Sequence, residues 1–579
     1  MGTHIGTRRR AAAALMLPAT WLAVTVVLAG ATSAAASPAA ATTCTDNWVG
    51  PASGTANWNT SGDWSAGVPN GNSTVACIQK AGTYTVQATT SSDAAAAIVV
   101  GGAASGTQTL QIDGVNLPIT QSSEVLKGGV LSLTPTSSGS AAISATGTTT
   151  SLTIAHGGTL SSAGTSDAAD IATPLLINKG TVTLAAASNE DSAGTTDAGS
   201  FTIASGSTLT SSGADFTHSA GKLTVHGTFD SDNIFTQSGG TETGNPVVQH
   251  AGTFVDSAGT GSFITYQATI EGTIPAGQTV TNLASPGNSN DTIGGVSAGV
   301  TVDGTLTCQT TSTTICTFST AGDWPGITVA SGGTLSTTGP GNSSAYVNLD
   351  ANMDVKAGGT LAIANPATMV NTFTLTNAGS WQVTATGYIS IGGNCAVTST
   401  GTIEVSAGSG VTPPDGTILQ NSGQFGNSGT LAVDTVGSEG GGPDQPVIIA
   451  KPGVGQFTNY SFGPDYYTVS YTPTEVELTP ATPFSASATA FSPVENEPIT
   501  PKVASFTTHG EPGTYSATVN YGDGSGTQPA TVNLSGSSGK VTGPTHTYTA
   551  TGTYTVTVVI STTAGTTKKV SEQVTVTGS

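Results

Sequence analysis

The sequence predicts an all-β protein, a right-handed parallel β-helix followed by a β-sandwich. Three observations predict it. A glycine-led phrase, Gly-(Thr/Ser)-apolar-x-apolar, recurs from Gly158 to Gly429. Near Phe484 the phrase stops and a different spacing of short alternating segments begins. Charge is sparse, with Asp, Glu, Lys and Arg making up 8% of 579 residues against about 25% in an ordinary soluble domain. With 36% hydrophobic residues, that composition favours folded β-structure over disorder, which combines high charge density with few apolar groups.

The amino end reads as an export signal. Arg8, Arg9 and Arg10 form a positive start, Ala11 to Gly30 is an uncharged apolar run, and small residues from Ala31 to Ala36 precede Ser37-Pro38. That order marks a secretory signal peptide over residues 1–36, cleaved after Ala34 or Ala36. The run is also long enough for a retained membrane anchor, but the alanine-rich stretch behind it favours cleavage and leaves no membrane span. Val574 to Ser579 carries no apolar helix, basic tail or sorting pentapeptide, so the expected product is secreted and released or held non-covalently. The three arginines are the only ones in the chain. Without residues 1–36, ten lysines face 34 Asp+Glu, a net charge of −24. Such a chain offers no basic surface for nucleic acid and no guanidinium clamp for phosphate or carboxylate.

Five cysteines in an exported chain predict disulfides with one left over. The expected pairs are Cys44 with Cys77 and Cys308 with Cys316, which leaves Cys395 over by count. No two cysteines have C-x-x-C spacing, so a zinc site is not expected.

The middle of the chain is a repeat. Copies include Gly158-Thr159-Leu160, Gly180-Thr181-Val182-Thr183-Leu184, Gly252-Thr253-Phe254-Val255, Gly359-Thr360-Leu361-Ala362-Ile363 and Gly401-Thr402-Ile403-Glu404-Val405. Gly206, Gly227, Gly272, Gly304, Gly333, Gly379 and Gly429 complete a series of twelve glycines. Their mean step is roughly 25 residues, within the range of solenoid repeats, and the gaps are uneven. Each unit is a turn and a short strand. Glycine takes backbone angles other residues avoid, and the residues after it alternate inward and outward. Strands this short bury a core only by stacking on their neighbours, as in a solenoid, and parallel crossovers favour the right hand. A β-sandwich array is the competing architecture, but no domain-sized boundaries divide the repeat. The expected order is the signal at 1–36, a Trp-rich cap with first strands at 37–95, the coil with a closing hairpin at 96–480, and the sandwich at 484–579.

Trp48, Trp58 and Trp64 lie close together in the sequence, the last two in Asn57-Trp58-Asn59 and Gly62-Asp63-Trp64-Ser65-Ala66-Gly67-Val68-Pro69. This segment resembles the opening of secreted, autotransporter-type bacterial β-helices, in which a Trp-Asn-Trp-Gly-Val-Pro pattern precedes the first rung. The resemblance implies a cap over an open hydrophobic end. The functional alternative is sugar stacking on Trp58, Trp64 and Trp324, the last in an echo of the motif at Gly322-Asp323-Trp324-Pro325-Gly326. At the far end, Tyr467 to Tyr471 and Val476 to Leu478 alternate around Pro473 and read as a hairpin closing the last rung. Two capped ends disfavour end-to-end growth, so a monomer is expected.

Two signatures mark the last module: Asn520-Tyr521-Gly522-Asp523-Gly524-Ser525, and His546-Thr547-Tyr548 followed by Gly552-Thr553-Tyr554-Thr555-Val556. Together they resemble the polycystic-kidney-disease (PKD) domain, with Tyr521 where that family usually has tryptophan. The resemblance covers the chain from Phe484 to its end and implies an immunoglobulin-like sandwich used as an extracellular spacer or binding module. Asp523-Gly524 supplies a tight turn. Asp523 is also the one weak candidate for a calcium ligand, and no other cofactor is expected. His546 reads as a packed core histidine.

Chemistry on the coil has little to work with. Comparable β-helices resemble polysaccharide lyases or glycosidases, but the basic residues and the Gly-His-Gly turn of such sites are missing. So are nucleophile elbows, phosphate loops and His-Glu-x-x-His. The richest stretch, 215–271, holds three of the six histidines beyond the signal. Within it Asp230 and Asp232, two apart on a strand, share a face as a candidate acid and base. Phe216-Thr217-His218 and Phe235-Thr236-Gln237 repeat one another, so His218 is expected at a variable, solvent-facing position. The expected function is a non-catalytic, adhesin-like extracellular protein that binds polysaccharide or cell-surface protein. A polysaccharide-degrading enzyme with the PKD module as accessory is the alternative.

Overall fold

The computed structural model describes residues 43–578, apart from 146, 285–288, 294–298, 312–314, 320–325, 340–346, 365–366, 370–372, 384–388, 392–394, 407–417, 421–423, 428, 435–444, 451–455, 463–465, 474, 482–483, 510–512 and 564–565. The signal-peptide reading and Trp324 therefore lie outside the described residues. The fold is a right-handed parallel β-helix followed by a β-sandwich.

Coiling begins inside the Trp-rich segment. Asp46–Asn47 pairs in parallel with Val75–Ile78, which pairs with Ala97–Val100, while Ser53–Asn57 pairs with Thr83–Ala88. From residue 151 onward three short strands make one turn of the coil. A representative turn runs through Leu175–Asn178, Thr181–Leu184 and Ser188–Asp191 and then returns to Gly194–Asp197. Period-two alternation puts Val182 and Leu184 inside and Thr181 and Thr183 outside. Parallel register then stacks like on like. Leu160, Val182, Phe201 and Leu223 form one buried column. Phe216, Phe235 and Phe254 form another, with consecutive rings stacked at 5.6 and 6.1 Å. Aromatic contacts of this kind are worth about 0.5–1.5 kcal/mol per pair beyond the area they bury.

Gly206, Gly252 and Gly272 take the expected positive φ, at 78°, 59° and 92°, but other glycines serve the stacking by a different route. Gly180, Gly199, Gly379, Gly401 and Gly429 have no positive φ. What each lacks is room. A Cβ on Gly199 would lie 2.4 Å from the Gly180 carbonyl oxygen, one on Gly401 2.2 Å from that of Gly379, and one on Gly429 1.9 Å from that of Gly401. Glycine stacks on glycine because the corner of each coil rests on the carbonyl of the coil before it. The series of twelve glycines also mixes corners. Thr181, Ser200 and Lys222 are successive partners, so the coils here are shorter than the mean glycine step. Thr208, after Gly206, opens a second sheet and Thr253, after Gly252, a third.

Both ends close as the sequence suggests. Trp48, Trp58 and Trp64 are buried, and Trp64 meets the other two edge to face at 5.2 and 5.0 Å. Their indole N–H groups donate to Pro51 O, Pro69 O and Trp58 O respectively. At the other end Tyr466–Tyr471 and Glu475–Ala481 form an antiparallel hairpin, and the second strand also pairs antiparallel with Gln445–Ala450. Both expected disulfides, Cys44–Cys77 and Cys308–Cys316, are formed, and Cys395 is buried outside them.

The sandwich has the strand order Ser485–Ala488, Lys502–Thr507, Ser538–Thr542, Thr527–Ser535, Tyr515–Asn520, Gly552–Thr562, Thr567–Val576. Its long strand Thr527–Ser535 pairs with Tyr515–Asn520 through its first half and with Ser538–Thr542 through its second, which joins the two layers. Phe484, Val519, Tyr521, Val541, Tyr548, Val558 and Ile560 are buried between them.

The glycine contact makes a direct prediction. Gly401→Ala forces the coil apart at a backbone carbonyl, an overpacking cost of about 1–3 kcal/mol, while Gly62→Ala meets nothing within 4 Å. Thermal unfolding should show a clear drop in Tm for the first and almost none for the second. Equal Tm values would refute the stacking account.

Candidate functional site

Titratable groups gather in two layers of the coil, one inside and one outside. The inner layer sits at the corner just before the stacked glycines. Asn178, Asp197, His218, Gln237 and Asp256 are register partners in turn, and all five are buried. The Oδ1 atoms of Asn178 and Asp197 accept from the amides of Gly180 and Gly199 at 3.0 and 3.2 Å, closing the turn. Between coils, Asn178 Nδ2 donates to Asp197 Oδ1 at 2.7 Å, and Asp197 Oδ2 meets His218 Nδ1 at 2.7 Å. Gln278 Nε2 donates to Asp256 Oδ2. Asn377 repeats the coil-to-coil donation higher up, to Ser399 Oγ and Thr402 O.

His218 is thus a correction. Expected to face solvent, it is fully buried, because Phe216 points inward and alternation returns position 218 to the same side. The repeat with Phe235-Thr236-Gln237 is real and in register, but both copies turn their polar residue inside. His218 Nε2, Glu242 Oε1 and Asp256 Oδ1 are buried with no hydrogen-bond partner among the described residues. Burial has the matching effect on the acids. It pushes Asp256 up to about 8, against the opposing Ser257 amide and Gln278. It pushes Glu242 up to about 7, against the Ser262 amide and His218. Asp191, at the corresponding corner of another sheet, rises to about 7 despite hydrogen bonds from Thr195 and Ala193.

The outer layer contains both sequence candidates. Asp230 lies on Thr228–Ser231 with its side chain outward, and the exposed Asp232 follows on the same side, its amide still bonded to Ser211 O. The structure adds two residues from later coils. His250 Nε2 stands 3.7 Å from Asp230 Oδ1, and the imidazole stacks on Tyr266 at 5.0 Å. Burial raises Asp230 above the usual carboxylate range, His250 lowers it and Asp232 raises it again. Tyr266 is raised by burial and by Asp230. A carboxyl, an imidazole and a phenol side by side can exchange protons with a bound molecule. The Asp230–His250 separation is too long for a hydrogen bond and makes this a partly exposed ion pair of small energetic weight. Sequence reading missed His250 and Tyr266 because only register across coils brings them to Asp230.

Of the remaining candidates, Trp58, Trp64 and Asp523 sit in packed networks. Trp58 and Trp64 are 0% and 4% exposed, so the sugar-stacking expectation for them is corrected: their rings pack against one another and not toward solvent. Asp523 accepts from the amide and hydroxyl of Ser525 and meets His546 Nε2 at 3.0 Å. Burial raises its carboxyl, but Ser525 and His546 outweigh that and leave it below its ordinary value. His546 stacks flat on Tyr521 at 3.9 Å, and Tyr548 donates to Tyr521 O. The two sequence signatures of the sandwich therefore meet in one packed network. No group of three or more His, Cys, Asp or Glu side chains suited to a metal occurs among the described residues.

No family model matches the chain, and no curated protein matches it.

The buried acids fix the sign of a pH effect. An unfolded carboxyl titrates near 4, whereas Asp256, Glu242 and Asp191 hold their protons to about 7 or 8 in the fold. The native chain therefore binds more protons than the unfolded one across that window, and stability falls as pH rises through it. Unfolding should be hardest near pH 5 and progressively easier to pH 8.5. The combined Glu242→Gln and Asp256→Asn variant should flatten the profile, and an unchanged slope in that variant would rule the assignment out.

Proposed function

We propose that this is a secreted, non-catalytic extracellular protein whose coil binds glycan or protein surfaces in the manner of an adhesin, with a PKD-type module at its carboxyl end. One observation carries the reading. Asp191, Asp197, Glu242 and Asp256 are turned inward at or near the corners of the coil, while an outward row that repeats from coil to coil offers mainly hydroxyls and amides. One outward row runs Thr281, Thr307, Ser336, Ala362, Gln382 and Glu404, each the register partner of the next. Such a row has repeated hydrogen-bonding capacity and little that reacts. Weak contacts repeated along it add up through multivalency. Two disulfides fit an oxidising, extracellular setting. No helix among the described residues is long and apolar enough to cross a membrane. The PKD resemblance of the sandwich, with Tyr521, Asp523, His546 and Tyr548 converging, supports an extracellular module.

The Asp230–His250–Tyr266 group favours a second reading, a polysaccharide-degrading enzyme with Asp230 as proton donor. One experiment separates the two. Mature protein is incubated with soluble and insoluble neutral glycans, and both retention and release of reducing ends are measured. Retention without product is expected, unchanged in Asp230→Asn. Reducing ends that appear with the wild type and vanish in Asp230→Asn would establish the enzyme and defeat the proposal.

A further inference from the structure

The charge of the chain is unevenly divided. Residues 37–483 hold six lysines against 29 Asp+Glu, a net −23, whereas residues 484–579 hold four lysines against five Asp+Glu, a net −1. Two of those four lysines, Lys502 and Lys540, line a groove of about 530 Å³ over the strands Ser485–Ala488, Lys502–Thr507, Ser538–Thr542 and Thr527–Ser535. No Asp or Glu lines it, and among the described residues neither lysine has an acidic partner.

Register fixes what the groove presents. Ser487 pairs with Ser505, Ser505 with Lys540, and Lys540 with Asn533. These four side chains form one row across four strands, all at least partly exposed. Neighbouring strands are about 4.8 Å apart, so the row repeats donors and acceptors at close to the pitch of successive sugar rings. Phe506 also borders the groove but is buried in the core against Phe484 and Tyr515. No exposed ring is therefore present in the groove to stack on a neutral sugar, and binding must draw on charge. The groove crosses a sheet face inward from the edge strand Ser485–Ala488, whereas an extended peptide that adds a strand uses the edge alone.

We infer that this face of the sandwich is a binding site for an acidic polysaccharide, with sugar carboxylates on Lys502 and Lys540 and sugar hydroxyls on Ser487, Ser505 and Asn533. It deepens the proposed glycan-binding function and rests on it. The acidic coil repels the same ligand, so a polyanionic chain is held at the sandwich and kept off the coil.

The test uses the full mature protein with polygalacturonate as probe, dextran as the neutral polysaccharide and polyglutamate as the acidic peptide. Polygalacturonate should bind, more weakly as salt rises. The Lys502→Gln/Lys540→Gln double variant should lose about tenfold in affinity, the size two exposed charge contacts supply. Lys568→Gln/Lys569→Gln removes the same charge outside the groove and should retain binding, with Tm confirming that both variants fold. Equal loss in the two double variants would reduce the effect to net charge and overturn the site. Polyglutamate bound as tightly as polygalacturonate would overturn the sugar assignment. Dextran bound in preference to polygalacturonate would defeat this inference and leave the proposed function standing. Retention of no glycan at all would defeat both this inference and the glycan-binding half of the proposed function.

Discussion

The structure depends on one contact, the approach of a glycine Cα to the carbonyl of the glycine one coil below. Gly199 rests on Gly180, and Gly401 on Gly379, at distances no side chain tolerates. Parallel hydrogen bonds alone allow a strand to slip by two positions and keep the same face inside. The corner glycine removes that freedom, because only one alignment places two glycines over each other. With the corner set, the rest follows by counting. The residue two past Gly180 is Val182, the residue two past Gly199 is Phe201, and both point inward in the same column. Like side chains meet because like corners do.

The same counting turns a polar residue inward just before each corner. The buried row from Asn178 to Asp256 closes its own turn and ties adjacent coils together. Its cost is desolvation, visible in Asp256, held protonated near neutral pH. A hydrophobic residue would avoid that cost but leave the corner amides of Gly180 and Gly199 without acceptors, and buried unpaired amides are themselves expensive. Polar corners are therefore the lesser penalty, and they withdraw several of the few acids from the surface. Interior architecture and surface chemistry are thus coupled, since each acid used to build a corner is one fewer available to a catalytic face.

Features carried by local residues were legible in the sequence. The coil, the sandwich and both disulfides follow from phrase, spacing and count. The sandwich signatures did more than mark a fold, because Tyr521, Asp523, His546 and Tyr548 are the residues that pack together. What escaped depends on register between coils. The burial of His218 follows from its phase within Phe216–His218, which a repeat comparison alone does not give. Glycine spacing misled for a related reason: Gly180, Gly206 and Gly252 introduce three different sheets, so their intervals do not measure a coil.

Coil length varies along the chain, and the titratable outer group lies where it is short. Asp230 pairs with Val248, and Val247 with Phe263, so these coils are short. Further on, Thr279 pairs with Thr305 and Thr305 with Thr334, and each of those coils takes up distinctly more chain. Around 230–266 the corners are therefore tight, and little chain lies between one coil's outward residues and the next. A segment already rich in Asp and His is compressed into adjacent layers, and Asp230, His250 and Tyr266 meet although they come from three different strands. The composition of the stretch concentrates the groups, and register between stacked strands brings them into contact. Where coils lengthen, outward positions are occupied by Thr307 and Ser336, hydrogen-bonded to each other at 2.9 Å. The chemical character of the outer surface thus changes along the coil, and so does that of the inner columns, where Leu223 is followed by the buried Glu242.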